Sequence, residues 1–364
     1  MSDYGIDNLP YGVFSEPGGA RRLGVRLDDG VVDLSPLGGL LAQPSLTPLL
    51  AAGRTQWTAA RAAVTEFAGS APRIPLTDVT LHLPFEVADY TDFYSSQWHA
   101  LNVSQILRPE SPGLPPHWRH LPIGYHGRSS TVVVSGTPIE RPAGQLGPGV
   151  FGPSQRLDVE AEVGFVVGTP GRRIPTGAFA DHVFGVVLVN DWSARDIQAW
   201  EYRPLGPFLA KSFATSVSPW VVPLEALATI EPEPQEPRPA DYLLPPGPGF
   251  DLRLTVDWNG TRVATPPFAS MYWTAAQQLA HLTVNGATVR TGDLYASGTV
   301  SGRARDEVGS FLELTRNGTE PVKLADGSPR GFLLDGDTVT IGGTAPGAAG
   351  GTVGLGEVTG TVIA

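Results

Sequence analysis

Apolar residues recur along this chain in two periods. Leu23–Leu34 alternates around Asp28, Asp29 and Gly30, which predicts two short strands joined by a tight turn. Trp57, Ala60, Val64 and Phe67 fall at helical spacing and predict an amphipathic helix whose aromatics serve as core. The proline-rich stretch Ala71–Pro84 reads as a boundary, so a small N-terminal domain over 1–84 and a larger one over 85–364 are expected. Beyond it, Thr131–Ser135 and Leu157–Val167 alternate as strands, and Gly185–Val189 is a continuous apolar run, as in a strand buried on both faces. Ser193–Tyr202 predicts a helix with Ser193 as N-cap and Pro204 past its end. Thr274–Asn285 predicts a second, closed by Gly286. Glu231–Gly249 holds seven prolines and is read as an ordered surface loop of the large domain. Gly336–Gly360, with β-branched residues between glycines, predicts hairpins. No repeat of about 20–50 residues is evident.

Composition narrows the function classes. The 44 glycines and 35 prolines reinforce a mainly β reading with some α, and 41% apolar against 17% charged residues is enough for a sizeable core. The formal charge of −11 and the lack of any Lys/Arg run argue against a nucleic-acid partner. An anionic substrate would need basic side chains gathered locally against that field. With no cysteine, disulfides and thiolate zinc sites are excluded, so any metal must be held by oxygen or imidazole. Neither a signal-like N-terminus nor an apolar run of about 18 residues is present, so a cytoplasmic location with no membrane partner is expected.

Three acidic segments carry the candidate chemistry. In Leu157–Phe165 apolar residues take every second position, so Asp158, Glu160 and Glu162 share the other face of a strand. Glu160 and Glu162 would lie about 6.6 Å apart along it. Such carboxylates repel unless solvent or a cation intervenes; an exposed strand edge and a metal site both fit, and the apolar run Gly164–Val167 favours the metal. Asp191 sits where a buried strand gives way to a helix, a place for a ligand or for a charge complementing the helix dipole. Arg195, Gln198 and Tyr202 then form one polar stripe, able to grip carboxylates and carbonyls or simply exposed. The third segment, Asp89–His99, sets His99 among two Asp, two Tyr and two Ser, which raises it above a merely structural histidine. Oxygen donors from three distant segments suit Mg²⁺ or Ca²⁺.

Longer blocks go further. DYTDFYSS at Asp89–Ser96, LPIGYHGRSSTVVVSGTPIERPAGQ at Leu121–Gln145 and LDVEAEVGFVVG at Leu157–Gly168 resemble the fumarylacetoacetase family. So do NDWSARDIQAWEYRPLGPFLAKSF at Asn190–Phe213, MYWTAAQQLAHLTVNG at Met271–Gly286 and GDLYASGTVSG at Gly292–Gly302. With NLPYGVF at Asn8–Phe14 and FLLDGD at Phe332–Asp337, the resemblance spans nearly the whole chain. It implies an N-terminal SH3-like barrel, a C-terminal mixed β-roll and a homodimer formed through the large domain. It implies hydrolysis of a C–C bond in fumarylacetoacetate to fumarate and acetoacetate, the last step of tyrosine and phenylalanine degradation. By motif, Asp92, Glu160, Glu162 and Asp191 match the metal ligands, with Lys211 and Thr215 serving the metal region. His99 matches the general base and Glu313 its orienting partner. Arg195, Gln198 and Lys211 match groups that stabilise an oxyanion and a departing carbanion, and Tyr94, Arg108, Tyr125, Tyr202 and Thr299 match substrate contacts. Ala210 and Ala214 stand where the family usually has Gly, which would narrow the pocket or shift the loop carrying Lys211 and Thr215. Gln97-Trp98, Leu101 and Asp7 are further departures. The competing readings are another diketo-acid hydrolase or decarboxylase of the wider superfamily, such as an acylpyruvate hydrolase, and a non-catalytic metal- or ligand-binding β-protein.

Overall fold

The structure is a computed structural model and describes residues 2–364. The N-terminal alternation builds a five-stranded sheet in which Tyr11–Ser15 lies between Arg22–Leu27 and Thr80–His82. The expected hairpin is present as Arg22–Leu27 and Gly30–Asp33, with Asp28 at φ +54° in the turn. The expected helix runs Arg54–Ala68 and buries Trp57 and Val64. The proline-rich stretch is not bare linker: Ile74–Pro75 and Thr80–His82 are strands of this first sheet.

An eight-stranded mixed sheet forms the centre of the molecule. Its path runs Gly124–His126, Tyr90–Phe93, Leu294–Ala296, Ala161–Val167, Val183–Asp191, Thr215–Val217, Val132–Val134, with Val222–Pro223 also on Val183–Asp191. Side-chain alternation sends this sheet's apolar residues into two cores. Val163, Phe165, Val186 and Leu188 pack towards the five-stranded C-terminal sheet with Leu254, Ile341 and Val358. Val166, Val187, Val189 and Leu294 pack against the N-terminal Leu23, Val25, Leu50 and Trp57. That is why Gly185–Val189 shows no polar face: both faces of its strand are covered. The Gly336–Gly360 segment is the long hairpin Thr338–Pro346 with Thr352–Ile363, and the proline-rich loop is anchored by buried Leu243.

Two elements differ from their sequence-based expectation. Leu157–Val167 is not one strand. Leu157–Asp158 pairs with Ser193–Ala194, whereas Ala161–Val167 pairs with Val183–Asn190. The chain changes partners at Val159-Glu160, where the Glu160 amide turns to the Asn190 side chain at 3.3 Å. For the same reason Ser193 is no N-cap: it is held in that short ladder and its hydroxyl donates to the Asp191 carbonyl, so the helix starts only at Arg195.

Candidate active site

Strand register gathers the carboxylates. Ala161–Val167 runs antiparallel to Val183–Asp191, so its first residues lie beside the last of that strand, with Ala161 opposite Asn190. On its other side Gly164 faces Ala296, and Ala296 lies opposite Asp92 in a parallel pair. Asp92, Glu160, Glu162 and Asp191 therefore converge, offering one oxygen each within 4.8 Å of one another. All four are buried, none more than 5% exposed, which removes the exposed-edge alternative for Glu160 and Glu162. Gly298, at φ +77°, makes part of the cradle. A Cβ there would sit 2.0 Å from the Phe93 carbonyl, and its bare backbone lets the amide donate to Glu162 at 3.2 Å.

Charge in this cluster is unequal. Lys211 Nζ lies 2.6 Å from Glu160 and 2.7 Å from Asp191, and Arg195 Nη1 lies 2.7 Å from Glu160. Burial alone would raise the Glu160 carboxyl, but Lys211 and Arg195 outweigh it and hold the group well below the usual carboxylate range. Among the described residues neither Asp92 nor Glu162 makes an ion pair, and the charge of Lys211 acts on them only from a distance. Burial pushes both well up, and neighbouring carboxylates add to it. Asp191 is raised by burial despite Lys211 and the hydroxyls of Tyr125 at 3.0 Å and Thr215 at 3.3 Å.

These residues fit a divalent cation. The donors are all carboxylate oxygens, the set that hard cations take. Asp92 Oδ1 and Glu162 Oε1 are buried without a hydrogen-bond partner among the described residues. With all four ionised, as ligands of a cation are, two basic groups leave the cluster net negative.

Beside the cluster stands a buried acid–base pair. His99 lies in the first turn of the helix Gln97–Leu107, whose N-cap Ser96 accepts the His99 amide at 3.2 Å. His99 Nδ1 is 2.6 Å from Glu313 Oε2. Burial favours a neutral Glu313, but His99 and donations from Asn102 and Ser310 outweigh it and lower its pKa. An ionised carboxylate only accepts, so Nδ1 carries a proton, and Nε2 is the ring nitrogen that can take up or release the second one. The Tyr94 ring meets the imidazole edge-on at 5.4 Å.

Not every expected contact is drawn in. Gln198 accepts from Arg195 Nη1 at 3.2 Å, and Thr299 Oγ1 is buried with no partner among the described residues. Arg108 and Tyr202 lie instead exposed at the ends of their helices. The charge of Arg108 still acts on the Tyr94 hydroxyl. The extra methyls of Ala210 and Ala214 sit in apolar packing, Ala210 with Ala194 and Ile197 and Ala214 in the main core, and Lys211 and Thr215 still reach Asp191. Sequence reading passed over Ser310, Ser301 and Asn102, all of which donate to Glu313. Ser310-x-x-Glu313 has capping-box spacing and was visible; Asn102 and Ser301 carry no local signal.

A mixed sheet that presents a buried carboxylate cluster beside a His–Glu pair defines a hydrolase of the fumarylacetoacetate hydrolase fold. The profile described as "Fumarylacetoacetate (FAA) hydrolase C-terminal" matches residues 90–363, and "Fumarylacetoacetase N-terminal" matches 7–84. The chain is 45% identical to fumarylacetoacetase of Homo sapiens, covering 100% of this chain and 96% of that one. To the fumarylacetoacetase of Caenorhabditis elegans it is 43% identical, covering 100% and 97%. The solved fumarylacetoacetate hydrolase of Exiguobacterium antarcticum shares the fold at a TM-score of 0.61 and 19% identity, covering 98% of this chain and 99% of that one. The chain belongs to the fumarylacetoacetase family. Among the described residues, no helix is long and apolar enough to cross a membrane.

Proposed function

We propose that this enzyme hydrolyses fumarylacetoacetate to fumarate and acetoacetate. The observation that carries the reading is the 2.6 Å His99–Glu313 pair set beside the four-carboxylate cluster. His99 Nε2 takes a proton from water as the oxygen attacks the carbonyl carbon that becomes the fumarate carboxylate. Glu313 keeps the proton on Nδ1 and stabilises the imidazolium. Arg195 Nη2, buried and unpartnered among the described residues, supplies a preorganised donor for the oxyanion. As the C–C bond breaks, its electron pair passes to the acetoacetate enolate, whose charge Lys211 helps to balance; the imidazolium returns the proton to the enolate's terminal carbon, which becomes the methyl group of acetoacetate. Asp92, Glu160, Glu162 and Asp191 would hold Mg²⁺ or Ca²⁺, which when bound supplies Lewis-acid polarisation of the dicarbonyl. Tyr94, Tyr125, Gln198 and Thr299 line the approach as substrate contacts, with Arg108 and Tyr202 at the rim for the distal carboxylate.

Two features of organisation belong to the same reading. The chain divides near Pro84 into an N-terminal and a catalytic domain, supported by the profile limits at 84 and 90. It also forms a homodimer. The hairpin Ala143–Gly147 with Val150–Pro153 lies against the Arg195 helix, joined by a Trp200–Gln145 bond at 3.4 Å. Nearby apolar side chains are left open, Phe151 at 75%, Leu205 at 96% and Phe208 at 61% exposure, a patch suited to self-association.

Incubation of the metal-loaded protein with fumarylacetoacetate, followed by proton NMR, tests the activity. Fumarate and acetoacetate in equal amounts are expected. Unchanged substrate, or a decarboxylated product, would refute the assignment.

A further inference from the structure

Asp158 shares its strand face with Glu160 in the sequence, yet it does not join the acidic cluster. It is fully buried, and its two oxygens are spent on other donors. Oδ2 accepts from Arg195 Nε at 2.7 Å and from the Leu312 amide at 3.0 Å. Oδ1 accepts from the Phe311 amide at 2.7 Å and from the Val159 amide at 2.8 Å. Phe311 and Leu312 open the four-residue helix that carries Glu313. A single carboxylate thus grips the inner edge of one guanidinium and the first turn of the helix that orients the imidazole. The chain change at Val159-Glu160 makes this possible: Asp158 pairs with Ser193 next to Arg195, while Glu160 passes to the cluster.

The consequences reach the reacting groups on both sides. With Nε fixed by Asp158, Arg195 Nη1 lies on Glu160 and Gln198, and Nη2 is left without a partner among the described residues. On the other side, the Phe311 ring stacks on Trp258 at 4.0 Å, and Ser310 closes the turn onto Glu313. We propose that Asp158 is a positioning residue that locks Arg195 and the His99–Glu313 pair into one frame, keeping Arg195 Nη2 and His99 Nε2 in register on the same carbonyl. The role rests on the proposed hydrolysis.

Asparagine is nearly isosteric but replaces one acceptor with an N–H₂ group, so one half of the link must face a donor. In Asp158→Asn loaded with Mg²⁺, kcat on fumarylacetoacetate should fall on the order of 10²-fold, with KM and the calorimetric Ca²⁺ affinity held within about threefold. A residue that only stabilises the fold would lower the unfolding temperature and leave kcat near wild type; that result overturns the proposal, as does a metal-affinity loss as large as the kcat loss. Should Asp158→Asn fail to fold, Arg195→Lys decides. With its Nε donor gone, the downfield proton resonance of the His99–Glu313 hydrogen bond should shift, and an unmoved resonance overturns the proposal. Wild-type protein that does not cleave the substrate refutes the activity instead, and the resonance still tests the link.

Discussion

At the scale of single residues, the site is a set of carboxylates given different states by their neighbours. Lys211 and Arg195 keep Glu160 ionised, whereas burial and mutual repulsion push Asp92 and Glu162 up. Groups raised in the folded state bind more protons there than when unfolded. The stability they contribute is therefore present at low pH and is lost as pH rises from the ordinary carboxylate value of about 4 through the raised one. The metal-stripped protein should accordingly lose unfolding temperature on going from acid to neutral pH, and saturating Ca²⁺ should abolish that loss. Glu162→Gln should stabilise the stripped protein at neutral pH by about 1–3 kcal/mol. The same change should weaken Ca²⁺ binding by more than about 100-fold, since even outer-shell partners are worth that much. Calorimetry of both proteins with and without Ca²⁺ checks the pair, and a stripped variant less stable than wild type would remove the repulsion argument. Much of this was legible in the sequence: period-two alternation put Glu160 and Glu162 on one face, and Asp191 stood at the end of a buried strand. What could not be read was the separate fate of Asp158, because its partners lie 37 and more than 150 positions away.

At the scale of elements, the helices Gln97–Leu107 and Phe311–Leu314 set the positions of His99 and Glu313. Ser96 caps the His99 helix, accepting the His99 amide and donating to the Ser301 carbonyl at 3.0 Å. Ser96→Ala should cost about 1 kcal/mol of stability. Because the lost bond is to His99 itself, kcat should drop more than KM rises; steady-state kinetics reads this, and an unchanged kcat would show the cap to be purely structural. Helix existence was readable from spacing, as in Arg54–Ala68 and Ala275–Thr283. Helix starts were less so. Ser193 looked like a cap by residue type alone, but pairing with Leu157–Asp158 had the stronger claim on its backbone. Arg108 and Tyr202 were matched by motif, and their positions at exposed helix ends depend on packing that no local pattern encodes.

At the scale of the whole molecule, the central sheet serves both neighbours: one face is core for the N-terminal sheet and the other for the C-terminal sheet. Asp92, Glu162 and Asp191 lie near the ends of strands of this sheet, and the ion pairs of Lys211 and Arg195 with the cluster offset part of the cost of burying so many charges. Several exposed apolar residues lie elsewhere, Val150 and Phe151 on the hairpin and Leu205, Phe208 and Leu209 after the Arg195 helix. Sedimentation should find a dimer, and Phe151→Asp combined with Leu205→Asp should give a monomer; a wild-type monomer would contradict the assembly. The most direct test of the chemistry is turnover in ¹⁸O-labelled water, comparing wild-type protein with His99→Ala. The account predicts one labelled oxygen in each fumarate from the wild type and no turnover by the variant, with its Ca²⁺ affinity intact. Unlabelled fumarate, or wild-type rates from His99→Ala, would contradict it.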